Sequence, residues 1–382
     1  MIKRFLTGHR PLAIAIPAIA VIAILGASVM LVSGLGGQSH ATATPGATDT
    51  PIPSPSDSPT PLESPTPTID LGPTPLPLGM AYADLDGVAT TTALAHREPL
   101  AIMVDDNKVA RPQSGISSAS IVYQAPADGG EDRYMMIFQE GTASAIGPVR
   151  SARPYYVYWA AEYRAVFGHY GGDRKSRMVT IPAMAGYIHN MDALNGGGCP
   201  YHRVTTRPAP HNAYTSTAAL IGCDAAKKYP ATYNQKLPTR PFRGDTDPAL
   251  LPAAQTIGIV YRTGTIGYQF DRTKDAYLRL VGGAPEIDPA NNQQVYARSI
   301  VVMDQFNTND LSEPGHIRPD VHNVGSGAVT IFQEGTMIKG TWKKTSNTAL
   351  TRFYDSNGKE ISLVRGEIFI QSKPPENRMS VS

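Results

Sequence analysis

Residues 146–162 read IGPVRSARPYYVYWAAE, and the rest of the chain can be placed outward from them. Proline is favoured at the first helical position, where its missing N–H would have no partner anyway, so Pro154 predicts a helix start. Tyr156, Ala160, Tyr163 and Phe167 recur at three-to-four-residue spacing and predict one apolar helix face. Arg150 and Arg153 stand just ahead of that start. A helix N-terminus attracts anions through unpaired N–H groups and its dipole, and two planar guanidiniums add forks suited to carboxylate or phosphate. The expectation is an anion site at this helix mouth. Ser151, with no GxSxG elbow around it, is expected to cap backbone N–H groups near Pro154 or to join the ligand.

Short apolar runs surround this helix. Residues 100–104 form one that ends in Asp105-Asp106-Asn107; residues 120–124 and 134–139 form two more, with an Asp128-Gly129-Gly130 turn between them. Such runs predict buried strands, as does 165–170 before Gly171-Gly172. Strands mixed with helix predict an α/β or α+β domain over 81–240. After a Pro-rich stretch at 238–252, strands alone are expected at 256–262, 267–271, 277–281, 299–303, 330–333 and 337–342. The last two flank Glu334-Gly335, and Asn357-Gly358 marks the next turn. This predicts a smaller β-rich unit over 255–375, with no internal repeat.

The chain has 382 residues, 41% hydrophobic and 17% charged, enough apolar material for one or two cores. A net charge of +2 and no basic run beyond the N-terminus give no support to a nucleic-acid partner. Residues 1–10 carry Lys3, Arg4 and Arg10, and residues 11–32 are apolar and uncharged, long enough to span a bilayer. The positive-inside rule leaves the basic tail in the cytoplasm and the folded domains outside. A cleavable signal has an apolar core of only about 7–15 residues, so an uncleaved single-pass anchor is expected. Residues 41–80 hold eleven of the 33 prolines, interleaved with Ser and Thr. The stretch 33–80 therefore reads as a disordered linker, reaching up to roughly 150 Å in polyproline II. In an exported domain the two cysteines, Cys199 and Cys223, are expected to pair, a crosslink worth on the order of 3 kcal/mol. A Cys199 nucleophile beside His202 is the alternative.

Several longer motifs carry a resemblance. PLAIMVDDNKVARPQSGISSASIVYQAPADGGEDRYMMIFQ, IGPVRSARPYYVYWAAEY, HYGGD and RPAPHNAYTST resemble the N-terminal domain of the YerB-like bacterial lipoproteins; GSGAVTIFQEGTMIKGTW and FYDSNGKEISLVRGEIFIQ are similar to that family's C-terminal domain. The match runs in order from 98 to 375. It implies an exported, membrane-tethered protein with an α/β sandwich-like N-terminal domain and a smaller β-rich C-terminal one, α+β overall, and it carries no activity. This chain lacks the family's lipid-carrying cysteine, so the helix would be its tether. Cys199 and Cys223 are outside the family's pattern.

The candidate ligand-binding set is Arg150, Ser151, Arg153, Arg111, His169, His211 and Asn212, polar residues at strand ends or in loops. The competing expectation is that the arginines pair with Asp105, Asp106, Glu131 or Asp132 to hold loops. His169 or His211 could act as a general base near neutral pH. His169, His189, His202 and His211 fall in one region, but without HExxH or CxxC spacing no metal is expected. No cofactor is expected either, since the glycines at 196–198 lack the Lys-Ser/Thr ending of a phosphate loop. The function expected is a membrane-anchored extracytoplasmic module binding an anionic cell-envelope ligand, such as a wall polymer. Alternatives are an envelope hydrolase or transferase, and a structural partner of a membrane complex.

Overall fold

The run LAIMVD forms strand β1 (Leu100–Asp105), buried along its whole length. Leu100, Ile102 and Val104 join one core; Ala101 and Met103 join another. A strand apolar on both faces has to be covered on both sides, and the rest of the chain supplies those layers. The computed structural model describes residues 75–196, 199, 201–229, 239–310 and 318–382. The expected basic tail, the expected anchor at 11–32 and the expected linker up to residue 74 lie outside the described residues. Among the described residues no helix is long and apolar enough to cross a membrane.

The first segment continues with β2 (Ile121–Pro126), β3 (Asp132–Phe138), helix α1 (Pro154–Glu162), β4 (Val166–His169), β5 (His189–Asp192) and helix α2 (Thr217–Lys227). The second is nearly all strand: β6 (Thr256–Tyr261), β7 (Gly264–Asp271), β8 (Ala276–Val281), β9 (Ser299–Asp304), β10 (Gly325–Gln333), β11 (Thr336–Lys344), β12 (Arg352–Asp355), β13 (Ile368–Lys373) and β14 (Met379–Val381). The molecule is mostly sheet with few helices, the coarse form of the α+β expectation. Ten strands make one central sheet in the order β12-β11-β10-β9-β13-β2-β3-β1-β4-β5. β13 lies parallel between β9 and β2, so a strand near the C-terminus is the seam between the two segments. The two segments share this sheet across the break at 238–252. The second segment's β9–β13 extend the first segment's sheet, and β6, β7, β8 and β14 form a second sheet packed on one face.

Helix α1 covers the opposite face with Tyr155, Tyr156, Trp159 and Ala160. It begins at Pro154 as expected, but it is not an amphipathic surface helix. Eight of its nine residues are buried, it ends at Glu162, and Phe167 belongs to β4 instead. The cause is its position between the sheet and the following short helices at 176–183, which leaves only Tyr158 partly open.

Buried polar contacts join the two segments. Arg279 of β8 has no exposed surface and donates to Gln124 Oε1 at 3.0 Å, to Tyr134 Oη at 2.7 Å and to Glu286 Oε2 at 2.5 Å. Lys344 of β11 reaches Glu162 at the end of α1, Nζ to Oε2 2.6 Å, both side chains fully buried.

Candidate functional site

Strands β1, β4 and β5 run parallel and end at Asp105, His169 and Asp192. Carboxyl ends of parallel strands are where α/β sheets place ligands, because the loops that leave them are free of sheet pairing. Asp105, itself buried, receives two partners there: His211 Nδ1 at 2.6 Å and Arg150 Nε at 3.0 Å from Oδ2. Asn107 N adds a 3.2 Å hydrogen bond to Oδ1. The turn just after β1, the stretch leading to α1 and the loop before Ala213 thus converge on one carboxylate. Arg150 remains 21% exposed and His211 14%. Beside them Arg203, exposed, lies 4.6 Å over the ring of Tyr170, whose backbone N–H donates to the Arg150 carbonyl.

Arg153 does not present a free fork. Its side chain is 5% exposed, with Nε donating to Asp128 Oδ1 at 2.7 Å, Nη2 to Asp128 Oδ2, and Asp173 Oδ2 at 3.5 Å. The pair of free guanidiniums expected at the helix mouth is corrected to one scaffold arginine and one at the surface. Arg133, in β3 opposite Asp105, lies 3.6 Å from Asp128 and donates to the Ser151 carbonyl at 2.9 Å. Burial pushes the Asp128 carboxyl up, but the Arg153 hydrogen bond and the charges of Arg153, Arg133 and Arg318 outweigh it and bring it down to about 2. Burial, then repulsion from Arg153 and Arg150, draws the Arg133 guanidinium down to about 10 against the pull of Asp128.

The other expected residues separate. Ser151 is no helix cap: the N-cap of α1 is Arg153, with no side-chain capping bond, because Ser151 lies two residues too early. His169 is fully buried, its Nδ1 donating to the Gly171 carbonyl at 2.7 Å and its Nε2 meeting the Asn190 side-chain amide at 2.7 Å. With both nitrogens engaged it positions the turn and has no free base lone pair. Gly171, at φ +68°, makes that turn possible in a conformation an L side chain disfavours. Asn212 accepts from Arg203 Nη1 and donates to the Val204 carbonyl, holding its own hairpin. Arg111 is drawn to the neighbouring, oppositely directed Asp106, Nε to Oδ1 2.8 Å, within the inter-sheet polar network. Cys199 and Cys223 form a disulfide, which removes the thiol nucleophile. Arg203, Tyr170, Asp173 and Arg318 were not singled out from sequence; no motif marks residues that meet only through the fold.

Among the described residues two further groups gather potential metal donors. Asp245, Asp275 and Glu334 are matched by Arg298 and Arg243 in ion pairs. Glu98, His189 and Asp224 converge at the β5 edge, with Asp224 Oδ1 2.7 Å and Glu98 Oε1 3.4 Å from His189 Nδ1.

Residues 85–231 match the family described as "Protein of unknown function (DUF3048) N-terminal domain", and residues 257–370 match its C-terminal domain. The Bacillus subtilis (strain 168) protein named "Putative lipoprotein YerB" is 28% identical over 306 residues, spanning 78% of this chain and 88% of that protein. The crystal structure of the YerB protein from Bacillus subtilis superposes with a TM-score of 0.68 at 26% identity, covering 78% of this chain and 99% of the other. With both domains matched in order and the same architecture, the chain belongs to the DUF3048 family, the YerB-like proteins.

Proposed function

We propose that the chain is a membrane-tethered extracytoplasmic module that binds an anionic cell-envelope ligand at the β1 strand end. Arg150 is the contacting cation, His211 and Arg203 flank it, and Tyr170 and Ser151 border it. The observation that carries this reading is the gathering of Arg133, Arg150 and Arg153 around the β1 strand end, with Arg150 the member that reaches solvent; burial first, and then the charges of Arg153 and Arg150, lower the Arg133 proton affinity. Added negative charge beside Arg150 relieves that repulsion, and a guanidinium takes carboxylate or phosphate in two parallel hydrogen bonds. Tethering is supported by the apolar 11–32 stretch and by the relative's name as a lipoprotein; with no cysteine before Cys199, the tether here is the helix. Titration of the full chain with muropeptides and phosphate-containing wall-polymer fragments tests the proposal. Saturable binding that weakens with added salt supports it, and no binding across the panel rejects it.

A second reading is favoured by the 2.6 Å Asp105–His211 contact. A buried carboxylate on Nδ1 orients the ring and leaves Nε2 as a base, the arrangement used in acyl and phosphoryl transfer. An envelope hydrolase or transferase would change the mass of the fragments, and His211→Ala would stop that change. Fragments recovered unaltered leave binding alone.

A further inference from the structure

The cluster at the β5 edge is separate from the Arg150 site. We infer that Glu98, His189 and Asp224 bind one divalent transition-metal ion. The donors come from three places: the residue pair ahead of β1, the first residue of β5, and the middle of α2. Their ligand atoms all lie within 4.8 Å of one another. An ion bonded at about 2.0–2.2 Å to such donors holds them about 3.0–3.5 Å apart, so separations of 2.7 and 3.4 Å need only small shifts. Both carboxylates face the same ring nitrogen, and one N–H points along only one direction; a cation between the three donors engages both. With both carboxylates ionised and the ring neutral, the donors carry two negative charges, which a divalent ion balances.

The donors are also held in place. His189 is 2% exposed, and its ring stacks on Tyr229 with centroids 4.7 Å apart and planes 17° from parallel. Asp224 follows Cys223, whose disulfide to Cys199 ties α2 to the loop beyond β5. Glu98 and Asp224 keep 24% and 21% of their side chains exposed, so an ion has a path in and room for water in its remaining positions. One imidazole with two carboxylates selects a borderline ion such as Zn2+ over Mg2+ or Ca2+, which prefer all-oxygen sites. Binding through Nδ1 requires the neutral ring with its proton on Nε2.

The test is calorimetric titration of the full chain, stripped with EDTA, using ZnCl2 with excess Mg2+ present. One equivalent should bind. Asp224→Asn and Glu98→Gln should each weaken it by more than about a hundredfold, beyond the roughly 10–100-fold effect of outer-shell changes, while unfolding midpoints without metal stay near the parent's. Replacing the exposed His202 by Ala should leave binding unchanged. The inference is overturned if no stoichiometric Zn2+ binds, if both carboxylate variants bind it as tightly as the parent, or if His202→Ala removes it.

Discussion

Asp132 is 1% exposed, and its Oδ2 accepts from Thr263 Oγ1 across the segment seam. Burial, and then the charge of Asp106, push its carboxyl up to about 7 despite the Thr263 hydrogen bond and Arg111. Between about pH 4 and pH 7 the native state therefore holds a proton that the unfolded chain has released, so stability falls as pH rises through that window and levels off above it. Asp128 acts oppositely: its contribution is lost as pH falls from about 4 toward 2. Asp132→Asn should flatten the decline, gaining up to a few kcal/mol over the parent at pH 7.5 and converging with it near pH 4, as read by urea unfolding at both pH values. Glu162 gives a different residue-scale prediction. It accepts from Lys344, from Thr351 N and Oγ1, and from Tyr123, with Arg240 at 3.6 Å. Glu162→Gln leaves two buried cations without their counter-charge and should cost about 3–5 kcal/mol in the same unfolding measurement. Partners at this scale were poorly legible in the sequence. Arg153 meets carboxylates 25 and 20 residues away, and nothing in their spacing distinguishes them from the Asp105 that holds Arg150.

Elements were far more legible. β1, β2, β3 and β4 were readable because short apolar runs stop at turn residues, and α1 because Pro154 fixes its start. The face assignment for α1 failed because a three-to-four-residue spacing does not reveal a helix covered on both sides. Helix α2 went unread although it has a signal: Ser216 caps it, accepting from Ala219 N at 3.1 Å, ahead of TAALIGCDAAK. The disulfide was legible from cysteine count and export, and its place follows from α2. It closes a loop across a separation of 24 residues, so Cys223→Ser, at a residue 8% exposed, should lower stability by about 3 kcal/mol. Unfolding with and without reductant checks this: the parent should shift under reductant and the variant should not. The metal cluster was invisible at this scale, since Glu98, His189 and Asp224 follow no ligand spacing and meet only when β5 and α2 pack.

At the scale of the molecule, the insertion of β13 between β9 and β2 could not be read from residues, because the Pro-rich 238–252 break looks like a domain boundary while the pairing that crosses it is a return from the far end of the chain. That continuous sheet fixes the ends of β1, β4 and β5, and with them the Asp105 carboxylate on which Arg150 and His211 converge. In the proposed function Arg150 meets an anionic ligand while Arg153 holds the scaffold. The decisive measurement is affinity of the full chain for anionic wall fragments in the parent, in Arg150→Gln, which keeps a polar side chain beside Asp105, and in Arg153→Gln, each with its unfolding midpoint. We predict that Arg150→Gln loses about tenfold or more in affinity, the scale of one charge-assisted pair, with a midpoint near the parent's. Arg153→Gln should lower the midpoint and bind, while folded, close to the parent. Parent-like affinity in Arg150→Gln, or loss confined to Arg153→Gln, would contradict this division of roles between the two arginines.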